Sequence, residues 1–288
     1  MKFTLLLSDG AYPQFQTLAR EAEAAGWSAI ALPDSIFFPR ITESDYPYAD
    51  TEMIRQYISA TPFIEPFVAM TWMAAVTKTL RFYPSVLKVP VRQPLILAKL
   101  LGSLAAISEN RVALGAGLSP WREEFAYNGV DFDKRGKLMD ACIAIIRGAL
   151  TGAFFEYHSA NYAIGPMKMS PAPSKPVPIL IGGHSRPALV RAAKSGDGWI
   201  AANTDHATLK ELVAALNALR DEYGTRRRAD FEIHGMDITA ETPDAYKRVR
   251  DLGVTHHINV PWAPGTTDLK TKVDAVKTFG ETIISKLR

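Results

Sequence analysis

One feature constrains this chain more than any other: short runs rich in aliphatic and β-branched residues alternate with amphipathic helical segments along its whole length. The runs are Lys2–Leu7, Ser28–Pro33, Leu80–Val89, Arg111–Gly117, Val177–Gly183, Gly198–Ala202, Phe231–Ile238 and His256–Pro261. Helical spacing covers, among others, Gln14–Ala25, Pro66–Thr77, Leu95–Ile107, Lys137–Leu150 and Leu209–Tyr223. Gly26 after Ala25, and Ser-Glu-Asn after Ile107, read as helix stops. Thr242 followed by Pro243 reads as an N-cap and first-turn proline, opening a helix that ends near Gly253. Eight such alternations in 288 residues predict one α/β domain, residues 1–288, folded as a closed parallel (β/α)8 TIM barrel with its helices outside. The rival is an open doubly wound sheet, which places a glycine-rich turn after its first strand. LLLSDGAYPQF holds a single glycine there.

Two connections exceed simple turns, residues 34–62 and residues 151–176. Long connections in a compact barrel are lids or binding loops. The first leaves the carboxyl end of the second strand, where barrel sites are built, so it is expected to cover the mouth. Its Phe37, Phe38, Tyr46, Tyr48 and Tyr57 either line a pocket for an apolar or aromatic substrate or pack the lid onto the rim. The second precedes the fifth strand and follows a helix, and its prolines fit a path over the outside.

Several chemistries are excluded by what the chain lacks. The single cysteine, Cys142, falls in the apolar helical stretch DACIAIIRGAL, which leaves no disulfide framework and no thiolate metal cluster. The six histidines are scattered, His256 and His257 point to opposite faces of a strand, and no HExxH spacing occurs, so no metal site is expected. No GxSxG elbow marks a hydrolase. The apolar start, Phe3 to Leu7, is too short for a signal-peptide core or a membrane span, which predicts a cytoplasmic protein without a membrane partner. The net charge of +3 is spread along the chain, and the one dense basic run, Arg226–Arg228, follows a helix end. A nucleic-acid partner is therefore not expected.

Barrel chemistry comes from the carboxyl ends of the strands, and three of these ends stand out. In LGAGLSPWREEF, Leu114 to Phe125, Gly115 and Gly117 either let a ring or phosphate lie on bare backbone or simply make a tight turn, with Glu123 and Glu124 opening a short helix. In ILIGGHSRPALVRAA, Ile179 to Ala193, a strand ends in Gly182-Gly183, passes His184 and enters a helix. Backbone N–H groups at that helix start either form an anion site to which Arg186 adds charge, or belong to a glycine turn that holds no ligand. In the third strand, Lys88 has the chemistry for a Schiff base, as in barrel aldolases, although a strand-end lysine is ordinarily solvated.

Taken together, these segments resemble the bacterial luciferase-like monooxygenase superfamily, in particular its coenzyme F420-dependent oxidoreductase branch. The resemblance rests on IALPDSIFFP, on TLRFYPSVLKVPVRQPLILAKLLGSLAAISENRVALGAG, on SPWREEF and KRGKLMD, and on PVPILIGGHSRPALVRAAKSGDGWI, in order over residues 28–200. It implies a non-proline cis peptide at Ser85–Val86 supporting the back of the cofactor ring. It places Gly115, Ala116, Gly117 and Leu118 beside that ring, and Gly182, Gly183 and His184 at its phosphate. Asp34 and Ser35 would stand near the reacting edge. Many deazaflavin relatives have histidine where this chain has Ser35, and serine is a poor acid near neutral pH. Proton delivery then falls to Glu123, Glu124, or a lid tyrosine such as Tyr46 or Tyr48. The implied activity is hydride transfer between F420 and a small organic substrate, in a homodimer served by a separate F420-reducing enzyme or reductase. An FMN-dependent monooxygenase is the alternative; a Schiff-base lyase and a flavin-binding protein without turnover stand behind it.

Overall fold

In the computed structural model, which describes residues 1–287, all eight runs form strands of one parallel sheet. In chain order the strands are β1 (Lys2–Leu6), β2 (Ala29–Leu32), β3 (Arg81–Pro84), β4 (Leu87–Lys88) and β5 (Leu114–Gly117). They continue with β6 (Phe155–His158), β7 (Ala163–Met167), β8 (Ile179–Gly182), β9 (Gly198–Ile200), β10 (Glu232–Gly235) and β11 (His256–Asn259). The barrel sheet runs β3-β2-β1-β11-β10-β9-β8-β5-β4. The run Leu80–Val89 is one strand broken in two: the Ser85–Val86 peptide is cis, β3 stays with β2, and β4 pairs with β5. A parallel bridge from Phe82 to Val112 brings the sheet round on itself.

The strands read as unbroken apolar runs because both of their faces are buried. Inward-pointing Ala29, Ala31, Tyr83, Ala113, Leu180, Ile200 and Ile258 fill the barrel. Their neighbours, such as Phe3, Leu5, Ile30, Leu32 and Ile181, pack under the helices. Eight helices form the outer ring: Phe15–Ala24, Pro66–Ala74, Pro94–Ile107, Arg135–Ala149, Arg186–Ser195, His206–Glu222, Pro243–Asp251 and Leu269–Thr282. The Thr242 hydroxyl accepts the Ala245 N–H at 3.2 Å, the cap that its sequence announced. Gly253, at φ +102°, ends that helix. No helix among the described residues is long and apolar enough to cross a membrane.

Both long connections contain structure that their sequences did not announce. Residues 34–62 include a helix, Thr51–Ala60, whose cap Asp50 accepts the Met53 N–H at 2.8 Å. Residues 151–176 include the antiparallel hairpin β6–β7. It packs on the outside of helix Arg135–Ala149, where the Phe155 ring covers Gly148 so closely that a Cβ there would lie 2.0 Å from it. The first connection therefore serves the mouth and the second the flank.

Candidate active site at the barrel mouth

The break in the third strand shapes the mouth. Val86 turns its side chain between β5 and β8, into space that only glycine leaves. A Cβ on Gly117 would lie 2.2 Å from one Val86 methyl, and a Cβ on Gly182 would lie 2.6 Å from the other. A Cβ on Gly115 would meet the Pro84 carbonyl oxygen at 1.9 Å. These glycines make room for the broken strand, a purpose different from the bare ligand-facing backbone suggested by the sequence. Gly115 and Ala116 are buried and do not line the mouth.

Above this knuckle lies a cavity of about 190 Å³. Its walls include Asp34, Ser35, Ser85, Val86, Gly117, Leu118, Gly182, Gly183 and His184, all singled out in the sequence. Tyr46, Tyr48, Ile54, Tyr57, Ile58 and Phe63 close it from the lid. Pro33, Lys88, Ser119, Pro120, Trp121, Ile200 and Ala202 complete the wall, and of these the sequence had given a chemical role only to Lys88, a different one. Arg186 is exposed and outside the cavity, so it does not add its charge there. Tyr57 is also a wall of a second space of about 600 Å³, bounded by Asp9, Asp237, Asn259 and Trp262.

Asp34, on the cavity wall, is held by its neighbours. Its buried carboxylate takes Arg92 through both oxygens, at 2.7 and 2.8 Å, and the Lys88 backbone N–H at 2.9 Å. Arg92 also donates to the Lys88 carbonyl at 3.2 Å. A bidentate carboxylate–guanidinium pair is geometrically rigid, so the backbone of Lys88 is held from both sides. Ser35 reaches only the Phe37 carbonyl, at 3.4 Å.

The two glutamates of the short helix Arg122–Ala126 have different tasks. Glu123 accepts the Glu43 backbone N–H at 2.9 Å and so ties the lid to this helix. Glu124 is fully buried and pairs with the Lys88 ammonium through one oxygen, while its Oε2 has no partner. Neither glutamate lines the cavity. The sequence could not announce the Lys88–Glu124 pair, because 36 positions separate the residues and only the folded-back helix joins them.

On the opposite wall Gly183 adopts φ +117°, a conformation open to glycine, and sends the chain to His184 and the helix Arg186–Ser195. Ser185 caps this helix without a side-chain hydrogen bond. His184 Nε2 accepts the Ala202 N–H at 3.2 Å, which assigns its proton to Nδ1. Burial lowers its pKa, keeping the ring neutral at neutral pH. The Tyr48 ring lies 4.6 Å from the imidazole, and its hydroxyl lies 3.5 Å from where a Cβ on Gly183 would sit. The lid tyrosine thus fills the amide corner that an anionic oxygen would use.

The histidine expectation needs a correction at the other end of the barrel. β10 and β11 place His234 opposite His256, and Glu232 joins them within 4.8 Å, a grouping invisible in the linear spacing. The two imidazoles stack in parallel, 4.2 Å apart and tilted by 2°, so their in-plane lone pairs do not converge on one ion. His234 Nε2 pairs with Glu232 at 2.8 Å, and its Nδ1 meets Tyr83 Oη at 2.9 Å. Arg81 holds Glu232 at 2.7 and 2.8 Å. This is a hydrogen-bonded floor.

With this geometry in hand, comparison with known proteins gives the class. A family model of luciferase-like monooxygenases matches residues 3–273, and the chain belongs to that family. Its flavin- or deazaflavin-dependent oxidoreductase chemistry makes the protein an enzyme of that class. Over 275 residues, 94% of each chain, it is 46% identical to a protein of Mycobacterium tuberculosis (strain ATCC 25618 / H37Rv) whose function is uncharacterised. It is 29% identical over 139 residues to an F420-dependent glucose-6-phosphate dehydrogenase of Amycolatopsis mediterranei, covering 46% of this chain and 42% of that protein. The fold matches that of monooxygenase RslO1 from Streptomyces bottropensis with a TM-score of 0.80 over 100% of both chains, at 16% identity.

Proposed function

We propose that the protein is an F420-dependent oxidoreductase that moves a hydride between the deazaflavin and a small apolar or aromatic organic substrate. The observation that carries this reading is the Val86 knuckle between Gly117 and Gly182, continuing into the Gly183–His184 amide corner. On this reading the knuckle supports the tricyclic ring, and the backbone entering the helix Arg186–Ser195 takes the phosphate. The glycines fit such a group, since any Cβ at Gly182 or Gly117 would displace the knuckle. The partial likeness to an F420-dependent dehydrogenase favours the deazaflavin.

Gly182, Gly183 and His184 would hold the phosphate, while Val86, Gly117 and Leu118 would support the ring. When bound, the cofactor supplies the hydride chemistry, and the protein supplies orientation and exclusion of water. A cavity of about 190 Å³ is below the ~300–1,000 Å³ usual for sites of ligands this size. Loading therefore requires Tyr48 to leave the amide corner, and the lid then closes over ring and substrate. Asp34 and Arg92 position the strand end beside the reacting groups. A separate F420-reducing enzyme would supply reduced cofactor. Val68, Trp72, Ile96, Leu100 and Ile107 are exposed on two neighbouring outer helices, and a second copy covering them would form the homodimer.

Titration of the purified protein with F420 and FMN, each oxidised and reduced, tests the reading. Saturable F420 binding without FMN binding supports it. FMN binding alone, with oxygen-dependent turnover, would transfer the protein to the flavin monooxygenase reading that the RslO1 likeness favours. Binding of neither overturns both.

A further inference from the structure

The charged group on the cavity wall that no role yet explains is Lys88. Its side chain is 13% exposed, which removes the solvated strand end that its sequence position suggests. Glu124 pairs with its Nζ from the buried side, engaging the nitrogen that a Schiff base would need free. An ammonium has three donors, and Glu124 accepts the one hydrogen bond that Lys88 Nζ makes. Unspent donors therefore remain on a cavity-lining side chain whose backbone Asp34 and Arg92 hold on both sides. Trp121, another wall residue and 2% exposed, has an indole N–H without an acceptor. A buried donor without a partner is costly unless something else fills the need, by about 1–3 kcal/mol. An oxygen of a ligand in the cavity would take up the remaining donors of Lys88.

We infer that Lys88, held by Glu124, takes the oxygen of a carbonyl-bearing substrate and donates a proton to it. This deepens the hydride-transfer reading and rests on it for the redox half. The carbonyl carbon accepts a hydride, two electrons that a reduced deazaflavin gives up on oxidation. The C=O π pair moves onto oxygen, and that oxygen takes a proton from Nζ. The products are an alcohol and a neutral Lys88 amine, which regains its proton from water when the alcohol leaves. In reverse, the amine takes the hydroxyl proton as the hydride departs. The acid missing because residue 35 is serine is thereby supplied by Lys88, whose backbone N–H is bound to the Asp34 carboxylate.

The test uses 4-nitrophenolate, whose anionic oxygen stands in for the charge that develops on the carbonyl. Wild type should bind it saturably, shifting its visible absorption, in mildly alkaline buffer. Lys88→Met should bind it at least about tenfold more weakly, the loss expected for one charge-assisted hydrogen bond, and Glu124→Gln should retain it. F420 affinity of Lys88→Met, read by fluorescence titration, should stay within about threefold of wild type, which also shows that the variant is folded. Equal phenolate binding by wild type and Lys88→Met, or no saturable binding by wild type, overturns the inference. A drop of about tenfold or more in F420 affinity also overturns it, by assigning the ammonium to the cofactor. Failure of wild type to bind F420 counts against the deazaflavin reading, and the phenolate comparison still decides whether Lys88 receives an oxygen.

Discussion

At the floor of the barrel, Glu232 receives Arg81 through both oxygens and His234 through one, and His234 passes the chain on to Tyr83 and Thr4. At the mouth, Glu124 meets Lys88 with one oxygen and leaves the other unanswered, as do Glu123 Oε2 and Trp121 Nε1 nearby. Only Arg81 Nη2 lacks a partner in the floor network. The two ends use similar charged and aromatic residues, buried to similar depth, yet they close their hydrogen bonds to different degrees. A satisfied buried network fixes a structure, whereas an unsatisfied one marks where a ligand completes the set. In a barrel this division follows the strand direction, with stability below and chemistry above.

The comparison breaks most readily at Asp34, which lies at the mouth but is bonded like a floor residue. Asp34→Asn should lower unfolding free energy by about 3–5 kcal/mol in urea denaturation, because it strands the buried Arg92 charge. A loss below about 1 kcal/mol would show that the mouth is braced elsewhere.

Next in size is Gly183→Asp, which places an acid in the amide corner at φ +117°. F420 affinity should fall at least about 100-fold, roughly 2.7 kcal/mol, with a smaller change in melting temperature.

Tyr83→Phe sharpens the floor. The Tyr83 hydroxyl donates to Thr4 or His234 at 3.0 or 2.9 Å in a fully buried position, and its removal should cost about 1–3 kcal/mol of stability while F420 titration stays unchanged.

The smallest effect is a slope with pH. Burial lowers the pKa of His257 to about 4 and that of His256 to about 2, from an ordinary 6.5. Between those values and 6.5 the unfolded chain binds protons that the folded chain refuses, so stability falls as pH drops below 6.5. Each group contributes up to about 1.4 kcal/mol per pH unit, and His257→Gln should flatten the urea-midpoint profile down to about pH 4. An unchanged slope would show that these imidazoles are solvated.

The fold was legible because its signals are local. Strands buried on both faces read as apolar runs, and Thr242 or Gly253 can be recognised from immediate neighbours. The site was half legible for the same reason. Gly117 and Gly182 announced that backbone must come close to something, but Val86, the neighbour they admit, lies on another strand. Lys88 looked like a solvated strand end because Glu124 arrives from a helix 36 positions later. His234 and His256 looked scattered until strand register set them side by side. The hairpin β6–β7 was missed because its strands are short, four and five residues, and lie on the flank with no residue fully buried.

One peptide unit joins two of these contacts. Glu123 grips the lid backbone at Glu43, and the next residue, Glu124, grips the ammonium of Lys88. The lid backbone and the cationic arm of Lys88 are thereby anchored to adjacent residues of one five-residue helix, Arg122–Ala126, so the roof of the chamber and the charge in its wall share a single mount.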